Sequence, residues 1–424
     1  MRKMKDSGIE WIGEIPANWK VMPHKYIMHK QKDICEHYNG EDIISLTMGG
    51  VIVRDLTAGG KMPTTFDGYQ YVEPEDLLMC LFDIDVTPRC VGVVHNYGLT
   101  SPAYSRFKVH NGYYNAYYDY LLRFIDDEKV FIHLSKNLRS SLTETDFGTI
   151  KTVVPSYEEQ KRISDFLDRK CSEIDAVIEK TKATIEEYKS LKQSIITDAV
   201  TKGVRGDRPM KDSGVDWIGD IVDGFSIIKL KHLLKEPLMY GANETGITFD
   251  ENLPRYIRIT DITMDGKLKD TGKLSLTEDA AENYILQNND VLFARSGASV
   301  GKAFIYKETY GRSAFAGYLI KASIGEKLLA DYLFFYTQSS LYEEWKKQIF
   351  VQATIQNIGA DRYNILPVVL GSIEEQQEIV NYLEIKCAEI DKLIADKTHL
   401  LEEMESYKKS VIYEYVTGKK EIFV

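Results

Sequence analysis

The segment Met4-Lys-Asp-Ser-Gly-Ile-Glu-Trp-Ile-Gly-Glu-Ile15 returns almost unchanged as Met210-Lys-Asp-Ser-Gly-Val-Asp-Trp-Ile-Gly-Asp-Ile221. A second segment, Ser156-Tyr-Glu-Glu-Gln-Lys-Arg-Ile163, returns as Ser372-Ile-Glu-Glu-Gln-Gln-Glu-Ile379. The offsets are 206 residues (210 − 4) and 216 residues (372 − 156), so the chain is a tandem duplication. A duplication predicts a pseudo-two-fold molecule, and such molecules tend to bind two-fold targets, of which duplex DNA is the commonest.

The totals are those of an ordinary multidomain protein. A chain of 424 residues is too long for one core, and 44% hydrophobic with 28% charged residues is typical of soluble proteins. We find neither a signal peptide nor an apolar run long enough to cross a bilayer, so we expect a cytoplasmic protein with no membrane partner. The five cysteines include no Cys-x-x-Cys pair, which predicts reduced structural thiols.

The charge argues against a simple DNA-coating protein, because the net charge is −11. The acidic residues are unevenly distributed, however. Residues 301–350 carry seven Lys/Arg against five Asp/Glu, whereas residues 351–400 carry four against eight. Because phosphate neutralisation dominates affinity for DNA, a DNA-binding function would need a basic partner.

Two long helices are predicted to begin after Ser156 and Ser372. A glutamate follows each serine three residues later, which is a capping box for the backbone N–H groups of the first turn. Apolar residues then recur at the alternating steps of four and three that are typical of a coiled coil. The predicted seam includes Leu167, Ile174, Ile178, Ile185 and Ile195 in the first helix, and Leu383, Ile390, Ile394, Leu401 and Val411 in the second.

Two packing arrangements are compatible with these seams. Each helix could pack only on its own globular domain, or the two helices could pair with each other. The matched seams favour pairing, and two-fold related halves make the pairing antiparallel. A helix of ~43 residues would then be roughly 65 Å long, about two turns of B-DNA, with a globular domain at each end.

The predicted fold class is α+β, with two mixed α/β domains separated by two long helices in a pseudo-two-fold chain. The parts are a segment at 1–20, a variable domain at 21–154, a helix at 155–203, a repeated segment at 204–225, a second variable domain at 226–370 and a second helix at 371–424. Within the variable domains we predict strands at 42–46, 76–80, 256–260 and 290–294, a turn at 265–266, and short helices at 119–124 and 331–336.

Basic and amide side chains in predicted loops are the candidate DNA contacts, because Arg can read guanine and Asn or Gln can read adenine. They are Lys61 and Arg89 in the first variable domain, and Arg295, Lys302, Arg312, Gln352, Gln356, Asn357 and Arg362 in the second. Each could instead be an ordinary solvated side chain. The tyrosines at 113–120 could stack on bases, although core or interface packing is the commoner role of tyrosines at helical spacing.

No catalytic or metal-binding motif is found. The stretch Arg295-Ser-Gly-Ala-Ser-Val-Gly-Lys302 lacks the first glycine and the final Ser/Thr of a phosphate-binding loop. There is no Gly-x-Gly, no His/Cys cluster and no Pro-Pro pair. We therefore expect a protein that is not an enzyme and holds no metal or cofactor of its own.

The repeated segments resemble those of the specificity subunits of type I restriction–modification systems. The resemblance rests on Lys-Asp-Ser-Gly-x-x-Trp-Ile-Gly-x-Ile at 5–15 and 211–221 and on Glu-Glu-Gln-x-x-Ile at the two helix starts. Tyr256-Ile-Arg-Ile-Thr-Asp-Ile262, Ala294-Arg-Ser-Gly297 and Gly98-Leu-Thr-Ser-Pro-Ala-Tyr104 resemble the family's target recognition domains. The resemblance covers essentially the whole chain.

The resemblance implies a prokaryotic, non-catalytic DNA-binding subunit. Each variable domain would read one half of a bipartite target in double-stranded DNA, and the helices would set the gap between the half-sites. The helices would also dock two methyltransferase subunits, which carry S-adenosylmethionine and methylate adenine at N6. Two restriction subunits using ATP and Mg²⁺ would complete a nuclease. In this family the N-terminal segment packs near the C-terminal helix, so we expect Trp11 there and Trp217 beside the central helix.

Two other functions remain as alternatives. The chain could be a coiled-coil scaffold with two protein-interaction heads, which predicts no sequence-dependent DNA binding by its assemblies. It could also be a nucleotide-using enzyme built on residues 295–302, which predicts ATP hydrolysis that depends on Lys302.

Overall fold

The computed structural model describes residues 2–58, 63–87, 89–135, 140–263, 266–350 and 356–422. They form two compact units, one of Met1–Thr181 with His399–Val424 and the other of Lys182–Thr398. The division falls within the two longest helices. No helix in the described part of the chain combines the length and the apolarity that a membrane crossing requires.

The first unit contains twelve short strands, numbered along the chain. They are β1 (Met4–Asp6), β2 (Glu14–Pro16), β3 (Lys20–Pro23), β4 (Met28–Gln31), β5 (Ile44–Thr47), β6 (Gly50–Val53), β7 (Gln70–Val72), β8 (Leu77–Met79), β9 (Val91–Val93), β10 (Gly98–Thr100), β11 (Ser105–Val109) and β12 (Lys151–Val154). The helices that begin here are α1 (Asn115–Asp127), α2 (Val130–Leu134), α3 (Glu144–Thr149) and the long α4 (Tyr157–Lys202).

The second unit repeats this order. Its strands are β13 (Met210–Asp212), β14 (Asp220–Val222), β15 (Ser226–Lys229), β16 (Met239–Tyr240), β17 (Ile247–Thr248), β18 (Arg255–Ile257), β19 (Leu274–Ser275), β20 (Val291–Ala294), β21 (Ala303–Ile305), β22 (Ser313–Phe315), β23 (Leu319–Ala322) and β24 (Pro367–Leu370). Its helices are α5 (Glu278–Ala281), α6 (Ala330–Tyr336), α7 (Ser340–Phe350), α8 (Ala360–Asn364) and the long α9 (Ile373–Val416). Single 3-10 turns occur at His24–Tyr26, Leu230–His232, Ile259–Asp261, Glu282–Tyr284, Gly297–Ser299 and Glu308–Tyr310.

The repeated segment forms the same small hairpin in each unit, β1 with β2 and β13 with β14. Its Asp-Ser-Gly sequence makes the turn. The carboxylates of Asp6 and Asp212 each accept a hydrogen bond from the backbone N–H two residues later, at 2.9 Å. The donors, Gly8 and Gly214, have φ of 66° and 73°, a region that favours glycine.

An ion pair next to each hairpin ties it to the start of a long helix. Arg2 binds Glu159 in the first unit, and the Trp19 ring N–H donates to the same carboxylate at 2.9 Å. The equivalent pair in the second unit joins Arg208 to Glu375 at 2.5 Å. In both halves, therefore, an arginine–glutamate ion pair fixes the start of the long helix.

A buried glutamine one residue later attaches each variable domain to its helix. Gln160 accepts from the backbone N–H of Tyr114 at 2.8 Å, just before α1 begins. Gln376 accepts from the N–H of Leu329 at 2.9 Å, just before α6 begins, and donates to two backbone carbonyls. The same hydrogen bond, from a backbone N–H to a buried glutamine side chain, thus attaches each variable domain to its long helix.

Both variable domains contain the same four-stranded antiparallel sheet. The strand order is β4-β11-β8-β9 in the first domain and β16-β23-β20-β21 in the second. The strands predicted at 76–80 and 290–294 are confirmed as β8 and β20, and the one predicted at 42–46 as β5. The predicted short helices are confirmed within α1 and α6.

The second layer of strands differs between the domains. The first domain has two two-stranded sheets, β5-β6 and β7-β10, whereas the second has one four-stranded sheet in the order β17-β19-β18-β22. A parallel contact occurs in both, as the single bridge Ile43↔Leu99 in the first domain and as the pairing of β18 with β22 in the second. The strand predicted at 256–260 ends at Ile257, because Arg258 and Asp261 close a 3-10 turn with side-chain bonds of 3.0 and 2.7 Å. Of the turn predicted at 265–266, Asp265 lies outside the described residues and Gly266 has φ of 76°.

The long helices α4 and α9 contain 46 and 44 residues. Ser156 and Ser372 cap them, each hydroxyl accepting from the N–H three residues later at 3.3 Å. The Glu375 carboxylate completes the predicted capping box by accepting from the Ser372 N–H at 3.2 Å. The Glu159 carboxylate instead binds Arg2 and Trp19.

The two helices run antiparallel within each unit. In the first unit the rings of Phe166 and Tyr415 are 4.4 Å apart, and Lys408 Nζ lies 2.6 Å from Asp175. In the second unit Lys192 Nζ lies 2.7 Å from Asp391, and Arg205 binds Glu378 through two bonds of 2.6 and 2.8 Å. The pairing favoured by the heptads is therefore the one observed.

Most of the seam is buried, and its ends also pack on the adjacent domain cores. The buried members are Leu167, Ile174, Ile178, Ile185, Leu383, Ile390 and Val411, and the half-buried ones are Ile195, Ile394 and Leu401. Near the end of α4 the buried residue is Ile196 rather than the predicted Ile195, and Ile196 packs in the core of the second unit. The expected tryptophan positions are confirmed, since Trp11 packs against the core that includes Val411, and Trp217 against the core that includes Ile196.

Candidate nucleic-acid interface

Arg295 follows β20 and is the candidate contact that the structure holds most firmly. Its N–H donates to the carbonyl of Tyr318 at 3.1 Å, and its carbonyl accepts from the N–H of Ile358 at 2.9 Å. Its guanidinium lies over the ring of Tyr240, 4.9 Å from the centroid. The Nε atom is buried and has no hydrogen-bond partner among the described residues.

Exposed aromatic and amide residues are joined to this arginine or to the adjacent Ser296. Tyr318 is 62% exposed and Tyr240 is 41% exposed, although the Tyr240 hydroxyl accepts from the N–H of Ala360 at 2.9 Å. Asn357 is exposed and forms a β-bridge with Ser296. We call Tyr240, Arg295, Tyr318 and Asn357 the Arg295 cluster. Gln356, also exposed, precedes Asn357 in the chain.

A group of lysines lies beside this cluster. The backbone carbonyl of Lys302 accepts from the N–H of Ala294 at 2.8 Å, which places Lys302 next to the start of the Arg295 turn. Partial burial lowers the pKa of the Lys302 ammonium, and the positive charges of Lys269 and Lys346 lower it further. Glu343 pairs with Lys346 at 2.7 Å, so these four side chains together keep a net positive charge, which favours an anion such as a phosphate.

The other two described candidates in this domain already have carboxylate neighbours. Arg312 forms a bidentate pair with Glu278, at 2.5 and 2.7 Å, and lines a small cavity of about 240 Å³. Arg362 lies in α8, with Nε 3.8 Å from the carboxylate of Asp361. No described contact joins either residue to the Arg295 cluster.

In the first domain Arg89 lines a cleft of about 1000 Å³ that runs along α1 and the edge strand β9. Asp119 and Arg123 form an ion pair of 2.5 Å in its wall, and the Tyr120 hydroxyl donates to Asp168 at 2.8 Å. Burial raises the pKa of the Asp119 carboxyl, while Arg123, Arg89 and His95 act in the opposite direction. The cleft is therefore polar and mixed in charge, unlike the lysine group in the second domain.

Lys61 and Gln352 lie outside the described residues, so their predicted contacts remain predictions. Sequence reasoning missed Tyr240, Tyr318, Lys269 and Lys346, which come from a strand, from loops and from helix α7 and meet Arg295 or Lys302 only in the folded domain. The only signal in the sequence was the local excess of basic residues at 301–350. Within the described ranges no group of three or more His, Cys, Asp or Glu is placed to hold a metal ion.

Comparisons with known proteins agree with this organisation. Residues 247–403 match the family model for the type I restriction modification DNA specificity domain. A type I restriction enzyme MjaX specificity subunit from Methanocaldococcus jannaschii is 23% identical, over 96% of this chain and 95% of its own length. The type I restriction enzyme StySPI specificity subunit from Salmonella potsdam is 22% identical, over 66% of this chain and 60% of its own length.

A solved chain from work on complex assembly and conformational transition of the type I R-M system has the same fold. The TM-score is 0.70 at 14% identity, and the alignment covers 96% of this chain and 99% of the other. The matched domain, the full-length relative and the shared fold agree with the two recognition domains and paired helices described above. Residues 247–403 therefore match a type I restriction modification DNA specificity domain, the chain is similar along nearly its whole length to a type I specificity subunit, and DNA target recognition is the role that these matches support.

Proposed function

We propose that the chain is the non-catalytic subunit that selects a bipartite DNA target for a type I restriction–modification complex. Each variable domain reads one half-site. The observation that carries the proposal is a shared four-stranded sheet beneath different second layers and different candidate side chains. One scaffold that carries two different surfaces suits two different half-sites. In this proposal the complex acts on prokaryotic DNA in the cytoplasm.

Two modification subunits dock on the long helices in this proposal. The support is a set of exposed apolar residues at matched positions. Val177 and Leu191 in α4 are 45% and 48% exposed, and Leu393 and Tyr407 in α9, each 216 residues later, are 43% and 46% exposed. Val177 and Leu393 directly precede the seam residues Ile178 and Ile394. Two equivalent apolar surfaces call for two copies of the same partner.

The chemistry then belongs to the partners. The matched family is a DNA specificity domain rather than an enzyme family. The modification subunits would bind S-adenosylmethionine and methylate adenine at N6, and restriction subunits would use ATP and Mg²⁺ to cleave unmodified DNA. The two helices, continuous over 46 and 44 residues, would fix the gap between the half-sites.

Methylome mapping tests the proposal directly. The chain is co-expressed with a type I modification subunit in a host that lacks adenine methylation, and methylated adenines are mapped. We expect one bipartite motif with a fixed gap, and exchange of residues 21–154 for another recognition domain should change one half-site only. Absence of any bipartite motif would refute the proposal. A motif that does not respond to the exchange would favour the scaffold alternative.

A further inference from the structure

We propose that Arg295 reads a guanine in the half-site bound by the second variable domain. The inference rests on the proposed function and adds a residue and a base to it. Guanine presents O6 and N7 as two neighbouring acceptors in the major groove, and an arginine fork matches both. The guanidinium of Arg295 has the accessibility, the support and the surroundings for this contact.

The guanidinium group of Arg295 is unpaired in the described part of the protein. Among the described arginines of residues 226–370, Arg258 is bound by Asp261, Arg312 by Glu278, and Arg255 by the carbonyl of Lys269, while Arg362 lies beside Asp361. The side chain of Arg295 has no hydrogen-bond or ion-pair partner among the described residues. Its Nε atom is buried without a partner among the described residues, and the residue as a whole is partly exposed.

The guanidinium group of Arg295 is also restrained in the absence of a ligand. The guanidinium packs over the ring of Tyr240, 4.9 Å from its centroid, and the Tyr240 hydroxyl accepts a hydrogen bond from the N–H of Ala360. The backbone of Arg295 is bonded on both sides, to Tyr318 and Ile358. A side chain that is already restrained by packing and by its backbone loses less entropy on binding than a free one.

The surroundings favour a base over a phosphate. The described contacts of Arg295 are with uncharged groups, namely the ring of Tyr240 and the backbones of Tyr318 and Ile358, and the adjacent Ser296 bridges to the neutral Asn357. The positive charges gather instead at Lys302, Lys269 and Lys346. Because Lys302 pairs through its backbone with Ala294, the lysine group flanks the arginine. This is the arrangement of a base contact with phosphate contacts beside it.

The test measures base preference in the assembled complex. The wild-type motif is first mapped, and methylation rates are then measured on duplexes carrying each base at every position of both half-sites. We expect one position in the second domain's half-site at which guanine is preferred by about 5- to 140-fold, the range of one bidentate contact. Arg295→Ala should abolish the preference at that position alone.

Two variants keep the test interpretable. Arg205→Ala removes an exposed arginine whose fork is closed by Glu378, and it should leave every base preference unchanged. Arg295→Gln should move the preference at the same position towards adenine, which rules out a simple loss of folding. Equal loss of rate for all four bases in Arg295→Ala would mean a phosphate contact and overturn the inference, as would an unchanged preference. Failure of the wild-type complex to methylate any bipartite motif would instead refute the proposed function.

Discussion

His24 shows how one residue can give the two halves different responses to acid. Its ring is completely buried and lies 4.6 Å from the ring of Phe147. Burial lowers its pKa from 6.5 to about 4. The equivalent position in the second half is Leu230, also completely buried. The first unit alone therefore carries an ionisable group at this site.

We predict that acid destabilises the first unit through this histidine. The folded state holds the ring neutral, whereas the unfolded chain takes up a proton near pH 6.5. Stability is therefore complete above about pH 6.5 and is lost as the pH falls towards 4, by up to roughly 3 kcal/mol. His24→Leu, which copies the second half, should remove this loss, as measured by urea unfolding at pH 7.5 and 5. The exposed His399→Ala is the control and should keep it; equal acid sensitivity of wild type and His24→Leu would contradict the assignment.

At the scale of elements, the buried glutamines that hold each domain on its helix invite a direct test. Gln376 is fully buried and serves three backbone groups, of Leu329, Lys327 and Gly371. Gln376→Ala leaves these groups without partners, and each costs about 1–3 kcal/mol when buried. We predict a loss of at least roughly 2 kcal/mol in the free energy of unfolding, measured by denaturant titration.

The neighbouring residue provides the control for this prediction. Gln377 lies on the exposed face of α9, where its amide bonds only to Asn381. Gln377→Ala should change stability by less than about 0.5 kcal/mol. If both variants lose the same stability, helix propensity rather than domain docking is being measured.

The elements also show what a sequence can reveal. The long helices were predicted because heptads and caps act over a few neighbouring residues, whereas the repeated segments were recognised without their hairpin structure. The parallel pairing of β18 with β22 was not, since it joins residues 58 positions apart through the register Arg255↔Ser313. For the same reason Arg295 and Lys302 could be singled out by type, whereas Tyr240 and Tyr318 required the folded sheet.

At the scale of the whole molecule, the matched apolar residues on the helices predict the stoichiometry of the complex. Val177 and Tyr407 belong to the first unit, and Leu191 and Leu393 to the second. The double variant Val177→Asp/Tyr407→Asp should remove one of two docking surfaces. We therefore expect the co-purified complex to contain one modification subunit in place of two, measured by native mass spectrometry. Two bound subunits would contradict this docking surface.

Adjacent positions separate docking from folding. Val177 is exposed, whereas Ile178 is a buried seam residue at 6% exposure. Val177→Asp should leave the thermal unfolding midpoint nearly unchanged. Ile178→Asp buries an unpaired charge between the helices and should cost several kcal/mol, about 3 or more, lowering the midpoint sharply.

The ion pairs between the long helices have a consequence for the origin of the chain. Asp175 and Lys192 of α4 correspond, 216 residues later, to Asp391 and Lys408 of α9, and each aspartate pairs with the lysine of the other helix. Every half therefore encodes a surface complementary to itself. An ancestor with one half could have associated as a homodimer through the same two bridges, reading a palindrome. Fusion of two such genes would preserve the interface between the helices. Each DNA-reading domain could then evolve separately, and exchange of one half would change one half-site.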